Sequence, residues 1–283
     1  MNLFDLHSDM PTTLFDGLKS VVSFPRGIQK QVQTCAVFIR DDISNPYDRY
    51  KSVLGKFKSQ NSYPVNDLTE NKSILLSVEG GSLLEENYDR ISELYSDKIA
   101  MLSLVWNYEN KLAGGVTSDK GITDCGKRTI LEMNDLGMVL DVSHLNDKGF
   151  YSALELADYL VASHSNCRKL CQNKRNLTDE QLMLIGEKGG LIGVNFYPVF
   201  LGDGDVLSSV YNHISHMLEL GLENNISIGS DFDGALMSEE LNCTEKTLNL
   251  YLFLEGKGIK KCILDKIFYE NALNFFKNAF DKR

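Results

Sequence analysis

The chain has 283 residues, with 29 Lys and Arg against 39 Asp and Glu, a formal net charge of −10. So acidic a chain lacks the basic footprint that counterion release requires, which argues against nucleic acid as a partner. A hydrophobic fraction of 43% supplies a large core, and no apolar run approaches the roughly eighteen residues of a membrane helix, so no membrane partner is expected. The segment Met1-Asn2-Leu3-Phe4-Asp5 has neither the basic start nor the long apolar stretch of a signal peptide, and the six cysteines form no C-x-x-C pair. These features predict a cytoplasmic protein whose thiols are incidental.

Short apolar runs rich in β-branched residues recur at 2–6, 34–39, 73–78, 99–105, 138–142, 159–162, 190–195 and 226–229. The first is followed by a long irregular insertion over 10–33. Amphipathic spacing predicts helices over 46–60, 122–136, 147–157, 206–221, 245–256 and 260–280. Ser82-x-x-Glu85 and Thr178-x-x-Gln181 fit the capping box, which marks two further helix starts. Eight strand–helix units without a linker or a shift in composition predict an α/β fold. They suggest one domain over 1–283, a closed (β/α)8 barrel of the TIM type. A doubly wound open sheet is the structural alternative.

Barrel enzymes place their chemistry at the C-terminal ends of the strands, so the residues after each run carry the most information. His7 and Asp9 stand two apart after the first run, a spacing that brings both side chains to one face. Glu79 follows the third run, with Gly80 and Gly81 behind it. A carboxylate there could meet the next helix N-terminus, whereas glycines permit close approach of backbone or ligand. Asp141-Val142-Ser143-His144 and Ser163-His164-Ser165 end the fifth and sixth runs, so three of only five histidines stand at strand ends. The eighth run ends in Gly229-Ser230-Asp231-Phe232-Asp233-Gly234, where either aspartate could form the turn. His213 and His216, three apart on a predicted helix, are expected to be surface or packing residues. His7, Asp9, Glu79, His144 and His164 together offer three imidazoles and two carboxylates, more than one open catalytic zinc needs. Two metals sharing a carboxylate is the natural arrangement.

These segments, in this order over nearly the whole chain, resemble the membrane (renal) dipeptidase family of dinuclear zinc peptidases. The resemblance implies two Zn²⁺ held by His7, Asp9, Glu79, His144 and His164, with Glu79 as the bridge. It implies hydrolysis of the amide bond of small peptides, dipeptides above all, by a metal-bridging hydroxide, with Asp231 as the acid–base residue. Arg175, in Arg175-Asn176-Leu177-Thr178-Asp179, would hold the substrate carboxylate, and Tyr197 matches a tyrosine near the substrate. Where animal members have a histidine that reaches the tetrahedral intermediate, this chain has Trp106, which carries only an N–H donor. Trp106-Asn107-x-x-Asn110 is similar to a pattern in bacterial relatives, and Trp106 is expected beside the substrate. A homodimer is also implied. Two other readings compete: another amidohydrolase-like barrel hydrolase, and a non-catalytic descendant that binds a ligand. Many amidohydrolases bridge their metals with a carboxylated lysine, whereas Glu79 occupies that strand end here.

Overall fold

The computed structural model describes residues 1–84, 87 and 89–281. Eight strands, β1 Leu3–Asp5, β2 Gln31–Phe38, β3 Lys72–Glu79, β4 Ile99–Ser103, β5 Val139–Asp141, β6 Leu160–Ala162, β7 Leu191–Val194 and β8 Ile226–Ile228, form a closed barrel in sequence order. Every neighbouring pair is parallel, and Asp5 opposite Ile228 closes the ring. Around it run α1 Met10–Phe15, α2 Pro46–Gln60, α3 Asp89–Ser96, α4 Asp124–Asp135, α5 Asp147–Leu156, α6 Asp179–Glu187, α7 Val206–Glu219, α8 Thr247–Gly256, α9 Lys261–Asp265 and α10 Asn271–Phe280. This is the (β/α)8 architecture expected from the alternating runs. Among the described residues no helix is long and apolar enough to cross a membrane.

Two apolar layers follow from the alternation of side chains across each strand. One face packs on the helices, as with Val37, Leu76, Leu102 and Ile192. The other face fills the barrel with Phe4, Leu6, Val32, Leu75, Met101, Val139, Val161 and Leu191. That inner set meets Ala272, Phe275, Phe276 and Ala279 of α10, so the last helix plugs one end of the barrel. Phe276 stacks on Phe4 at 5.3 Å between ring centroids. Asn271 fixes the plug by donating to the carbonyls of Glu223 (2.9 Å) and Ile226 (2.8 Å).

The structure revises several expectations. Residues 10–33 are not wholly irregular: Met10–Phe15 is helical, with Pro11 in its first turn where a missing N–H costs nothing, and β2 begins already at Gln31. The helix expected over 260–280 is present, unbroken over 261–280, with a wider π-type turn over Lys266–Glu270 between α9 and α10. Ser82 does not start a helix. It lies in a tight turn over Gly81–Leu84 with its hydroxyl donating to Arg40 O, and the helix begins at Asp89. Glu85, the other half of that motif, lies outside the described residues. The Thr178 capping box is formed, with Gln181 N donating to Thr178 Oγ1 and Thr178 N to Gln181 Oε1. Replacing Phe276 by Ala removes the ring that closes the barrel floor. The expected loss is about 3–5 kcal/mol of unfolding free energy, read as a lower urea midpoint at unchanged slope.

Candidate metal centre and substrate cavity

His7 and Asp9 follow β1, Glu79 ends β3, His144 and His164 follow β5 and β6, and Asp231 follows β8. The barrel therefore carries all six to one mouth, where each is at most 8% exposed. Two of them sit on backbone that L-residues avoid: His144 has φ +73° and Asp231 φ +63°. A left-handed residue costs roughly 1–2 kcal/mol, and here it turns the chain sharply out of the strand. Gly80 turns the chain behind Glu79 with φ +99°, and a Cβ there would lie 2.0 Å from Ile39 O. Close approach of backbone, rather than of ligand, accounts for this glycine. At Gly234 a Cβ would meet Asp231 Oδ1 at 2.4 Å and Asp9 Oδ2 at 2.7 Å, so only glycine leaves both carboxylates their room.

Glu79 occupies the centre. Its Oε1 lies 2.6 Å from His144 Nε2 and 3.7 Å from His164 Nε2, while Oε2 lies 3.5 Å from His7 Nε2. His7 Nε2 is in turn 3.9 Å from both Asp9 Oδ1 and Asp231 Oδ1. One carboxylate thus serves two groups of donors.

The far sides of two imidazoles are fixed by neutral partners. His144 Nδ1–H donates to Asn107 Oδ1 at 2.9 Å. His164 Nδ1–H donates to Ser163 Oγ at 2.7 Å, and the Ser163 hydroxyl donates in turn to Asp141 Oδ2 at 2.5 Å. These partners assign the tautomers, leaving lone pairs on both Nε2 atoms, which face each other at 2.9 Å. Two lone pairs at that distance repel unless a cation lies between them or beside them. Both ring nitrogens of His7 and Asp9 Oδ1 are buried without a hydrogen-bond partner in the protein. Leaving such groups unmet costs about 1–3 kcal/mol each.

The electrostatics point the same way. Burial alone would depress His7, but the Glu79 carboxylate outweighs it and holds the imidazole up at about 10. Burial raises Glu79, yet His144 and His7 together hold it well below the usual range. Burial and the neighbouring Glu79 charge push Asp9 well up. Asp231 is raised to about 6 by burial, against the opposing pull of His7. Three carboxylates in a site this dry favour added positive charge. Imidazole nitrogens with lone pairs and carboxylate oxygens make a donor set that fits a divalent metal.

Above this floor lies a cavity of about 420 Å³. Arg175, Tyr197 and Phe200 line it on the side of β6 and β7, and Phe38, Trp106 and Tyr108 on the side of β2 and β4. The Arg175 guanidinium is buried, stands 5.5 Å from the Phe200 ring, and its Nη2 has no partner. Burial lowers its pKa, with Asp231 and Glu79 pulling the other way. Of the two aspartates after β8, Asp231 lines the cavity, whereas Asp233 is a strap. Asp233 accepts Ser20 Oγ at 2.5 Å and Val21 N at 3.0 Å, tying down the loop before β2. His213 and His216 are packing residues, not surface ones. His213 accepts Cys167 N and donates to Leu201 O, and His216 bonds Asp179.

Several residues at the site were not singled out from sequence. Asn107 and Ser163 orient imidazoles, and buried Asn195 donates to Asp231 Oδ2 at 3.1 Å. Phe38 joins the cavity wall. The available signal was position alone, since Asn195 is the first polar residue after β7 and Ser163 the first after β6.

The sequence profile of the membrane dipeptidase family, peptidase family M19, matches residues 39–282. A Klebsiella pneumoniae protein from a pqqA 5′ region is 32% identical over 225 residues, which is 74% of this chain and 83% of that protein. An uncharacterized dipeptidase of Schizosaccharomyces pombe is 28% identical over 222 residues, where the match spans 74% of this chain but only 54% of the relative. Among solved structures, a metallo peptidase from Rhodobacter sphaeroides, liganded with a phosphinate mimic of the dipeptide L-Ala-D-Ala, superposes with a TM-score of 0.88. The two share 22% identity, and the match covers 99% of each chain. A probable 2-pyrone-4,6-dicarboxylic acid hydrolase from Acinetobacter baumannii reaches 0.57 at 10% identity, covering 98% of this chain and all of that one, a likeness of fold alone. With the profile matched over most of its length, the chain belongs to the membrane dipeptidase family of metallopeptidases, enzymes that hydrolyse peptide bonds.

Proposed function

We propose that this chain, as one barrel domain, is a dinuclear zinc dipeptidase that cleaves small peptides bearing a free C-terminal carboxylate. The observation that carries this reading is the pairing of Glu79, facing two donor groups, with the unmet Arg175 guanidinium in the same small cavity. His7, Asp9 and Glu79 would hold one ion, and Glu79, His144 and His164 the other. Ions bound there supply Lewis acidity and lower the pKa of water toward neutrality.

The protein's own groups do the rest. Arg175 pairs with the substrate carboxylate through its planar fork, fixing one end of the peptide with Tyr197 alongside. Asp231 keeps Oδ2 on Asn195 and turns Oδ1 toward His7, so one oxygen is free to take a proton. Returning that proton to the leaving amine completes the cleavage. The aromatic walls on both sides keep water from the peptide while it reacts. A longer peptide would have no carboxylate at the Arg175 distance. The free thiols of all six cysteines agree with a cytoplasmic setting, and a homodimer is the assembly that the family resemblance implies.

Zinc-loaded protein is expected to cleave free-acid dipeptides and to spare the corresponding C-terminal amides. Cleavage of both alike would remove Arg175 from substrate recognition, and cleavage of neither would move the assignment to the other barrel hydrolases. Arg175→Met should lower kcat/KM for the free acids by thirtyfold or more, since losing a buried charged partner costs about 2–5 kcal/mol. Asp231→Asn should retain its zinc, counted by atomic absorption, and lose turnover. Full activity in that variant would eliminate Asp231 as the proton carrier. Ser163→Ala frees the His164 ring, and chelator competition should then show zinc affinity falling about 10- to 100-fold.

A further inference from the structure

The wall opposite Arg175 is aromatic and rigid. Phe38 and Trp106 meet edge to face at 5.2 Å between centroids, and Trp106 and Tyr108 at 5.7 Å. The loop carrying Trp106 and Tyr108 is pinned from two sides. The partly buried Asp41 carboxylate accepts Trp106 N at 3.1 Å, Tyr108 N at 3.2 Å and Asn110 Nδ2 at 3.0 Å. On the other side Gly115 N donates to Tyr108 O, and a Cβ on Gly115 would come within 2.2 Å of Trp106 O. Rings held this firmly for packing alone would be covered. Instead Phe38 and Trp106 are half-buried, Tyr108 is 46% exposed, and all three line the cavity. The nearby Arg40 guanidinium, 6.0 Å from the Trp106 ring, is forked onto Asp42, so that cation already has a carboxylate partner.

We propose that Phe38, Trp106 and Tyr108 form the subsite for the N-terminal side chain of the substrate, and that it selects aromatic and large aliphatic residues there. The inference rests on the dipeptidase reading, which sets the carboxylate on Arg175. Strand order then fixes the direction. Arg175 follows β6, and β2, which ends in Phe38, lies four strands away around an eight-stranded ring. A dipeptide anchored at Arg175 with its amide over Glu79 lays its C-terminal side chain by Tyr197 and Phe200. Its N-terminal side chain then falls against Trp106, whose ring is 6.2 Å from that of His144.

Trp106 is the one tryptophan of the chain, so its emission reports this wall directly. The probes are Phe-Gly, Gly-Phe and Gly-Gly, added to the zinc-loaded Asp231→Asn variant for emission and to the wild-type enzyme for kinetics. Phe-Gly should shift the emission saturably, at roughly tenfold lower concentration than Gly-Phe. Its kcat/KM should exceed that of Gly-Gly by about tenfold or more. Phe38→Ala, which keeps the tryptophan, and Trp106→Ala should each erode that advantage severalfold. Equal responses to Phe-Gly and Gly-Phe, or an advantage that survives in both variants, would overturn the subsite. A Phe-Gly shift without cleavage of any dipeptide supports the subsite and sinks the hydrolytic reading. The absence of both shift and cleavage overturns the two together.

Discussion

The Glu79 carboxylate is the group around which the rest of the site is arranged. It is buried, sits within 4 Å of three imidazoles, and directs one oxygen to each half of the cluster. A charge so placed is tolerable only where positive charge can be gathered beside it, and the imidazoles that share it come from strands far apart in the chain. A closed ring of parallel strands solves this, because every strand delivers its C-terminal end to the same rim. The β3 end carries the anion, and the β1, β5 and β6 ends carry its partners.

Precision at the rim comes from a layer beneath it. Asp141 and Ser163 hold His164, Asn107 holds His144, and Asn195 holds Asp231. Asp5 does the same for the backbone, accepting from Ser230 N, Ser230 Oγ and His7 N. These hydrogen bonds offset the left-handed backbone of His144 and Asp231, which would relax if the surroundings did not fix it. Among the six site residues the strain falls on the two whose side chains must leave the line of the strand and reach over the mouth.

Much of this was legible in the sequence, for a physical reason. Strands buried on both faces read as unbroken apolar runs, so their ends, and the polar residues immediately after them, stand out. His7, Glu79, His144 and His164 are visible in this way. What stayed hidden depends on three-dimensional direction. Asp231 and Asp233 share one motif and both have positive φ, and only the folded turn separates the cavity residue from the strap. Asn107 and Asn195 are of a type common in every turn, and their partners lie 37 and 36 residues away. The short helix α1 covers too few residues for helical periodicity to show, and the π-type turn between α9 and α10 is a matter of backbone hydrogen bonding that side-chain spacing does not announce.

The α10 plug bears on how the molecule is made. Its aromatic residues complete the lower part of the lumen, yet α10 follows all eight strands in chain order. A chain leaving the ribosome from its N-terminus therefore exposes Phe4, Val32, Leu75 and Val161 until synthesis has passed Phe276. In the folded state it is this helix that keeps the inner layer from solvent at that end. Closure of the barrel floor thus waits on α10, the described helix farthest along the chain from the strands it covers first.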